Sequence, residues 1–171
     1  MQIRSSSFKG DRPPCPVDSN HEVDRHGSYE RNANCDDEQK EDIDRFLCRP
    51  CGRTISVLPD HFLPYRAVSV SLVQRHFDAQ ADPGQAQKPT ATENEKGCLK
   101  RAWGRFGQRV AALATVLGQM MQIRCRNPRP FWLALRRWGN LPAILLQLAK
   151  PFNISLLHDY LCLRPWGVGT G

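Results

Sequence analysis

Cys48-Arg-Pro-Cys51-Gly52 carries the clearest chemistry in this chain. Thiolates at that spacing grip one tetrahedral metal ion at about 2.3 Å if the chain turns tightly around it. Gly52 supplies the backbone angle such a turn needs. A closed site requires further ligands. Cys15-Pro-Val-Asp18 repeats the spacing of an opposing knuckle with a carboxylate in its second place, and His21 and Cys35 are the other candidates. The favoured set is Cys15, Cys48 and Cys51, completed by Asp18 or His21, around a structural Zn2+. Such an ion contributes on the order of 10 kcal/mol to folding, which offsets the small core of a short module. A catalytic zinc would keep an open position beside a glutamate base, and neither the HExxH nor the deaminase pattern occurs. No catalytic residue is nominated, and the chain is read as a non-enzyme.

The elements that must position these ligands are short and β-like. Ile43–Cys48 and Arg53–Leu58 flank the cysteine pair and read as the arms of a hairpin. His21–Tyr29 reads as a second hairpin turning at Gly27, and Asn32–Asp42 as a solvated acidic loop. Residues 1–14 are expected to be a disordered leader. A zinc-ribbon-like domain follows over 15–77 and ends in a short helix, Val68–Phe77, with a linker over 78–94.

Helical periodicity dominates the rest. Leu99, Trp103, Phe106, Val110, Leu113, Leu117 and Met120 form a heptad-like apolar stripe. Thr92 and Glu95 have the spacing of a capping box at its start. Pro130 and Pro142 suit the first turns of two shorter helices, about 130–138 and 142–149, and Asn153 suits the cap of a last one through Cys162. The basic helical region spans 95–165, with a tail at 166–171. The fold class expected is α+β, a small N-terminal β zinc ribbon followed by an all-helical basic region.

Charge divides the chain at the same place. Residues 1–97 hold 13 Lys/Arg against 16 Asp/Glu, whereas 98–171 hold 11 basic residues and a single acid, Asp159. A polyanionic partner fits that second part, because Lys and Arg near phosphates release counterions. Arg101, Arg105 and Arg109 recur at helical spacing away from the apolar stripe. Arg124, Arg136 and Arg137 lie further on, beside Trp132 and Trp138, and Arg25 and Arg31 flank the expected turn at Gly27. Arg25, Arg31, Arg101, Arg105, Arg109, Arg136 and Arg137 are the nucleic-acid-binding candidates.

Seven cysteines, an odd number, argue against a fully paired secreted framework. The first residues contain no apolar signal core, and Val110–Ile123 is too short to span a bilayer. A cytoplasmic protein without membrane contact is expected, its thiols free to hold metal.

The motifs Cys15-Pro, His26-Gly-Ser-Tyr29-Glu-Arg31, Arg45-Phe-Leu-Cys-Arg-Pro-Cys-Gly-Arg-Thr54 and Leu58-Pro-Asp-His-Phe-Leu-Pro-Tyr65 together resemble a family of uncharacterised bacterial zinc-ribbon domains. These are similar to the N-terminal ribbons of insertion-sequence transposases, and the resemblance covers about residues 15–77. It implies Cys15, Cys48 and Cys51 as ligands. Asp18 stands at a ligand position where the family usually carries cysteine. Transposases add a catalytic domain with three acids. Only Asp159 follows Glu95 here, so that enzyme is not expected.

The function expected is DNA binding by a zinc-ribbon protein of transposase-like ancestry. The alternative is a protein-interaction module, in which helix 95–122 pairs with a partner or a second copy of the chain.

Overall fold

The runs Ile43–Cys48 and Arg53–Leu58, with apolar residues on both faces, fold into the expected hairpin. In the computed structural model, which describes residues 2–5, 9–121, 126–152 and 155–157, β3 (Lys40–Cys48) and β4 (Arg53–Leu58) pair antiparallel. β2 (Val23–Asn32) runs antiparallel to β3, and β1 (Gln2–Arg4) lies parallel to β4. The order across the sheet is β1-β4-β3-β2.

Two expectations change here. Gln2–Arg4, expected within a disordered leader, forms β1, and Ile3 is buried in the small core below the sheet. The hairpin expected over His21–Tyr29 is instead one long strand. The register shifts between Arg25 and Ser28, so Gly27, with φ of 97°, sits in a bulge and not at a turn. A glycine with positive φ serves either purpose, and pairing with the whole of β3 favours the bulge.

The sheet has two different faces. On one, Ile3, Val23, Phe46 and Ile55 close a small core together with Cys15 and Cys48. On the other, Ile43 and Leu58 pack beneath Phe62 at one end. Arg45, Thr54 and Ser56 lie on that same face toward the other end.

The helices follow as a group packed on one another around their own core: α1 (Val70–Ala81), α2 (Glu93–Met121), α3 (Pro128–Leu135) with a 3-10 turn at Arg136–Trp138, and α4 (Leu141–Phe152). The fold is therefore α+β, a four-stranded sheet followed by helices. α1 begins where the Ser69 hydroxyl accepts from Leu72 N. It runs past the expected end at Phe77 because Ala79 and Ala81 are buried and Asp78 is anchored. The Asp78 carboxylate accepts from Trp132 Nε1 at 2.8 Å and from Arg136 Nε at 3.0 Å. The capping box forms at α2: Thr92 N donates to Glu95 Oε2 at 2.9 Å, and Glu95 N to Thr92 Oγ1 at 3.2 Å.

Leu99, Phe106, Val110, Leu113 and Leu117 of the stripe are buried within the chain's own helical core, with Trp103 half-buried beside them. Phe77 meets Trp103 and Trp132 edge-on, at ring-centroid distances of 4.9 and 5.1 Å. Such pairs add about 0.5–1.5 kcal/mol each beyond their burial. Trp132 is fully buried and is therefore a core residue. The Met120 side chain, Arg124, the tail and most of the helix expected from Asn153 fall outside the described residues.

The acidic loop is a connector and not simply solvated. Asn34 Oδ1 accepts from Ser69 N at 2.6 Å, and the Asp36 carboxylate accepts from Thr92 and from Asn94, the latter at 3.0 Å. The sheet is thereby tied to the first turns of α1 and α2. Among the described residues, no helix is long and apolar enough to cross a membrane.

Candidate metal centre

Cys48 ends β3 and Cys51 lies in the turn that follows, where Gly52 at φ of 62° brings the chain back into β4. The opposing piece is a loop. The Asp18 carboxylate accepts from Asn20 N at 2.9 Å, and the Asp18 carbonyl accepts from His21 N at 3.1 Å. This tight turn swings His21 back toward Cys15.

One ligand atom each from Cys15, His21, Cys48 and Cys51 lies within 4.8 Å of all the others, so the four could hold a metal ion. Cys15 Sγ is 3.6 Å from Cys51 Sγ and 3.7 Å from His21 Nδ1, and Cys48 Sγ is 3.6 Å from His21 Nδ1. Two sulfurs bound tetrahedrally at about 2.3 Å stand about 3.8 Å apart. The observed spacings are close to that edge. Cys15 and Cys48 are buried, while His21 and Cys51 are partly exposed.

Electrostatics divides the thiols. Burial pushes the Cys15 thiol up, but the Asp18 and Val17 amides, helped by Cys48 and His21, outweigh it and bring the thiol down to about 6. The Cys48 thiol is pushed up to about 11 by burial first, with Cys51 and Cys15 adding to it. Cys15 is the thiol of the pair that ionises more readily, and metal binding would draw the proton from Cys48 as well.

Of the two residues weighed to complete the site, His21 is in the cluster. Asp18 lies behind it, with Oδ2 3.6 Å from His21 Nε2. Cys35 is partly exposed on the acidic loop, its thiol pushed up by burial and by Asp36. The spacing of Cys15 and Asp18 pointed to the carboxylate; the turn that selects His21 has no simple spacing signature.

The candidate arginines are dispersed. Arg25 is exposed and donates to Asp44 at 2.8 Å. Arg31 donates to the carbonyls of Leu63 and Arg66 at 2.9 and 2.6 Å and lies over the Phe62 ring, so it holds the connector after β4. Arg101 and Arg105 are exposed on α2, and Arg101 touches Cys98 Sγ at 3.1 Å. Arg109 turns to the Ser155 carbonyl, Arg136 binds Asp78, and Arg137 is exposed.

No curated protein and no solved structure matches the chain. The profile of one family matches residues 15–101, a span that holds all four cluster residues and the start of α2. With more than half of its 171 residues matched, the chain belongs to the family described as Domain of unknown function (DUF6431).

Proposed function

We propose that this protein is a non-enzymatic DNA-binding protein whose N-terminal half is held in shape by a structural Zn2+. Cys15, His21, Cys48 and Cys51 would hold the ion. Three thiolates and one imidazole suit zinc in both softness and number, and four protein ligands leave no position for a substrate. Bound zinc supplies folding energy to a small sheet whose metal-side core is modest. Free thiols at these positions suit a reducing, cytoplasmic compartment.

One observation carries the DNA part: Arg101, Arg105 and Arg137 stand exposed in a region of eleven basic residues and one acid. Such a surface attracts phosphate without reading sequence. Kinship with transposase-type ribbons belongs to the same proposal and rests on the motifs of residues 15–77. The rival reading, a partner helix on the α2 stripe, has less support, because little of that stripe is left to bind a partner. Leu99, Phe106, Val110, Leu113 and Leu117 are already covered by the chain's own helices.

Two measurements test the proposal. Elemental analysis of protein purified without added metal should find zinc, and the Cys48→Ser variant should have lost it. Binding to labelled duplex DNA should weaken with salt, with a log–log slope of about −0.9 per neutralised phosphate. Absence of binding to any nucleic acid at low salt would remove the DNA reading.

A further inference from the structure

The face of the sheet turned away from the metal cluster carries an open groove of about 370 Å³, lined by Gln2, Tyr29, Arg45, Thr54, Ser56 and Tyr65. Register explains its floor. Gln2 pairs with Ser56, and Ser56 with Arg45, so the three form one cross-strand row over β1, β4 and β3. Tyr29 enters from β2 and Tyr65 from the connector after β4. Gln2 Oε1 accepts from Tyr65 N at 2.7 Å and from an Arg31 guanidinium nitrogen at 3.2 Å, which fixes Tyr65 at the rim.

Two features separate this groove from an ordinary sheet surface. Several arginines around the sheet are held by carboxylates: Arg4 by Asp60, Arg12 and Arg49 by Asp24, and Arg25 by Asp44. Arg45 has no ion-pair partner among the described residues; its guanidinium lies 6.0 Å from the centroid of the Tyr29 ring. Tyr65 is 45 % exposed and is the one non-glycine residue with positive φ, 57°, among those described. A tyrosine held there carries a backbone penalty on the order of 1 kcal/mol that glycine would relieve.

We infer that this groove receives one nucleotide of a single-stranded nucleic acid, the phosphate on Arg45 and the base against the tyrosine rings. A cation flanked by aromatic rings and hydroxyls matches an anionic group joined to a planar one. The volume is at the small end of ligand-sized clefts, enough for one unit at a time, and the open sides let a strand continue. An acidic peptide fits less well, since acidic motifs are read by clusters of arginines and Arg45 is the one arginine lining the groove. The inference rests on the nucleic-acid reading above and adds to it a contact surface away from the basic helices.

The test uses full-length, zinc-loaded protein and fluorescence anisotropy with labelled oligothymidylate and with a duplex of the same length. Arg45→Gln and Tyr65→Gly should each weaken oligothymidylate binding about tenfold and leave the duplex nearly unaffected. A combined Arg101→Ala and Arg105→Ala variant should weaken both probes. Tyr65→Gly should melt no lower than the parent, which keeps the test valid should Arg45→Gln fold poorly. Unchanged oligothymidylate affinity in the folded Tyr65→Gly protein would overturn the groove and leave the nucleic-acid reading standing. So would equal weakening of both probes by Arg45→Gln. Failure of the parent to bind either probe would sink both.

Discussion

His21 presents its two ring nitrogens to opposite partners: Nδ1 faces the thiols, and Nε2 lies 3.6 Å from the carboxylate of Asp18. A carboxylate behind a metal-binding imidazole holds the ring in one tautomer and makes its other nitrogen a better donor. With an ion bound, Asp18 would support His21 from behind without occupying a corner of the site.

Asp18→Ala should lower zinc affinity about tenfold to hundredfold, measured by competition with a chromophoric chelator. His21→Ala and Cys48→Ser should cost far more. A loss in Asp18→Ala equal to that in Cys48→Ser would mean that the carboxylate itself coordinates.

Removing the metal should loosen the sheet and spare the helices, because the core beside the cysteines is separate from that around α2. Hydrogen exchange is expected to speed up along residues 23–58 after chelation while amides of 99–117 stay protected. Uniform acceleration over both segments would show the two parts to be one cooperative unit.

Phe106 is fully buried and meets Phe77, Trp103, Phe131 and Trp132. Phe106→Ala should destabilise the helical part by ~3–5 kcal/mol through lost burial and an unfilled cavity. Urea unfolding followed by helical circular dichroism reads this directly, and a change below about 1 kcal/mol would contradict the packing.

Burial holds the His76 imidazole below its ordinary value of 6.5. As pH falls through 6.5, the unfolded chain takes up this proton while the folded chain resists it. The unfolded state then binds more protons, so stability declines from pH 6.5 down to the lower folded value. Above 6.5 the group contributes no slope. Comparing urea midpoints of the parent and His76→Gln across this window isolates the effect, since the metal site is common to both. Parallel curves would refute it.

The hairpin around the cysteine pair was legible because strand-like runs on either side of a CxxCG turn are local signals, and the buried stripe on α2 because seven positions keep one period. Three features were not. β1 is a short strand whose pairing with β4 is stabilised by contacts distant in sequence. Gly27 has the same backbone freedom in a bulge as in a turn, so only the length of β3 decides between them. The preference for His21 at the cluster depends on how Asp18 folds the loop back, a hydrogen-bonding detail that ligand spacing does not encode. Trp132 was similarly ambiguous: an indole beside arginines suits nucleic acid or a core, and its bond to Asp78 places it in the core.

The three-residue strand Gln2–Arg4 covers the outer side of Arg53–Leu58. Deleting it would bare a row of backbone amides and carbonyls on a strand rich in β-branched residues, a template on which other copies of the chain can add. Truncations starting after residue 5 should therefore precipitate or self-associate even with the metal bound, while the intact chain remains dispersed.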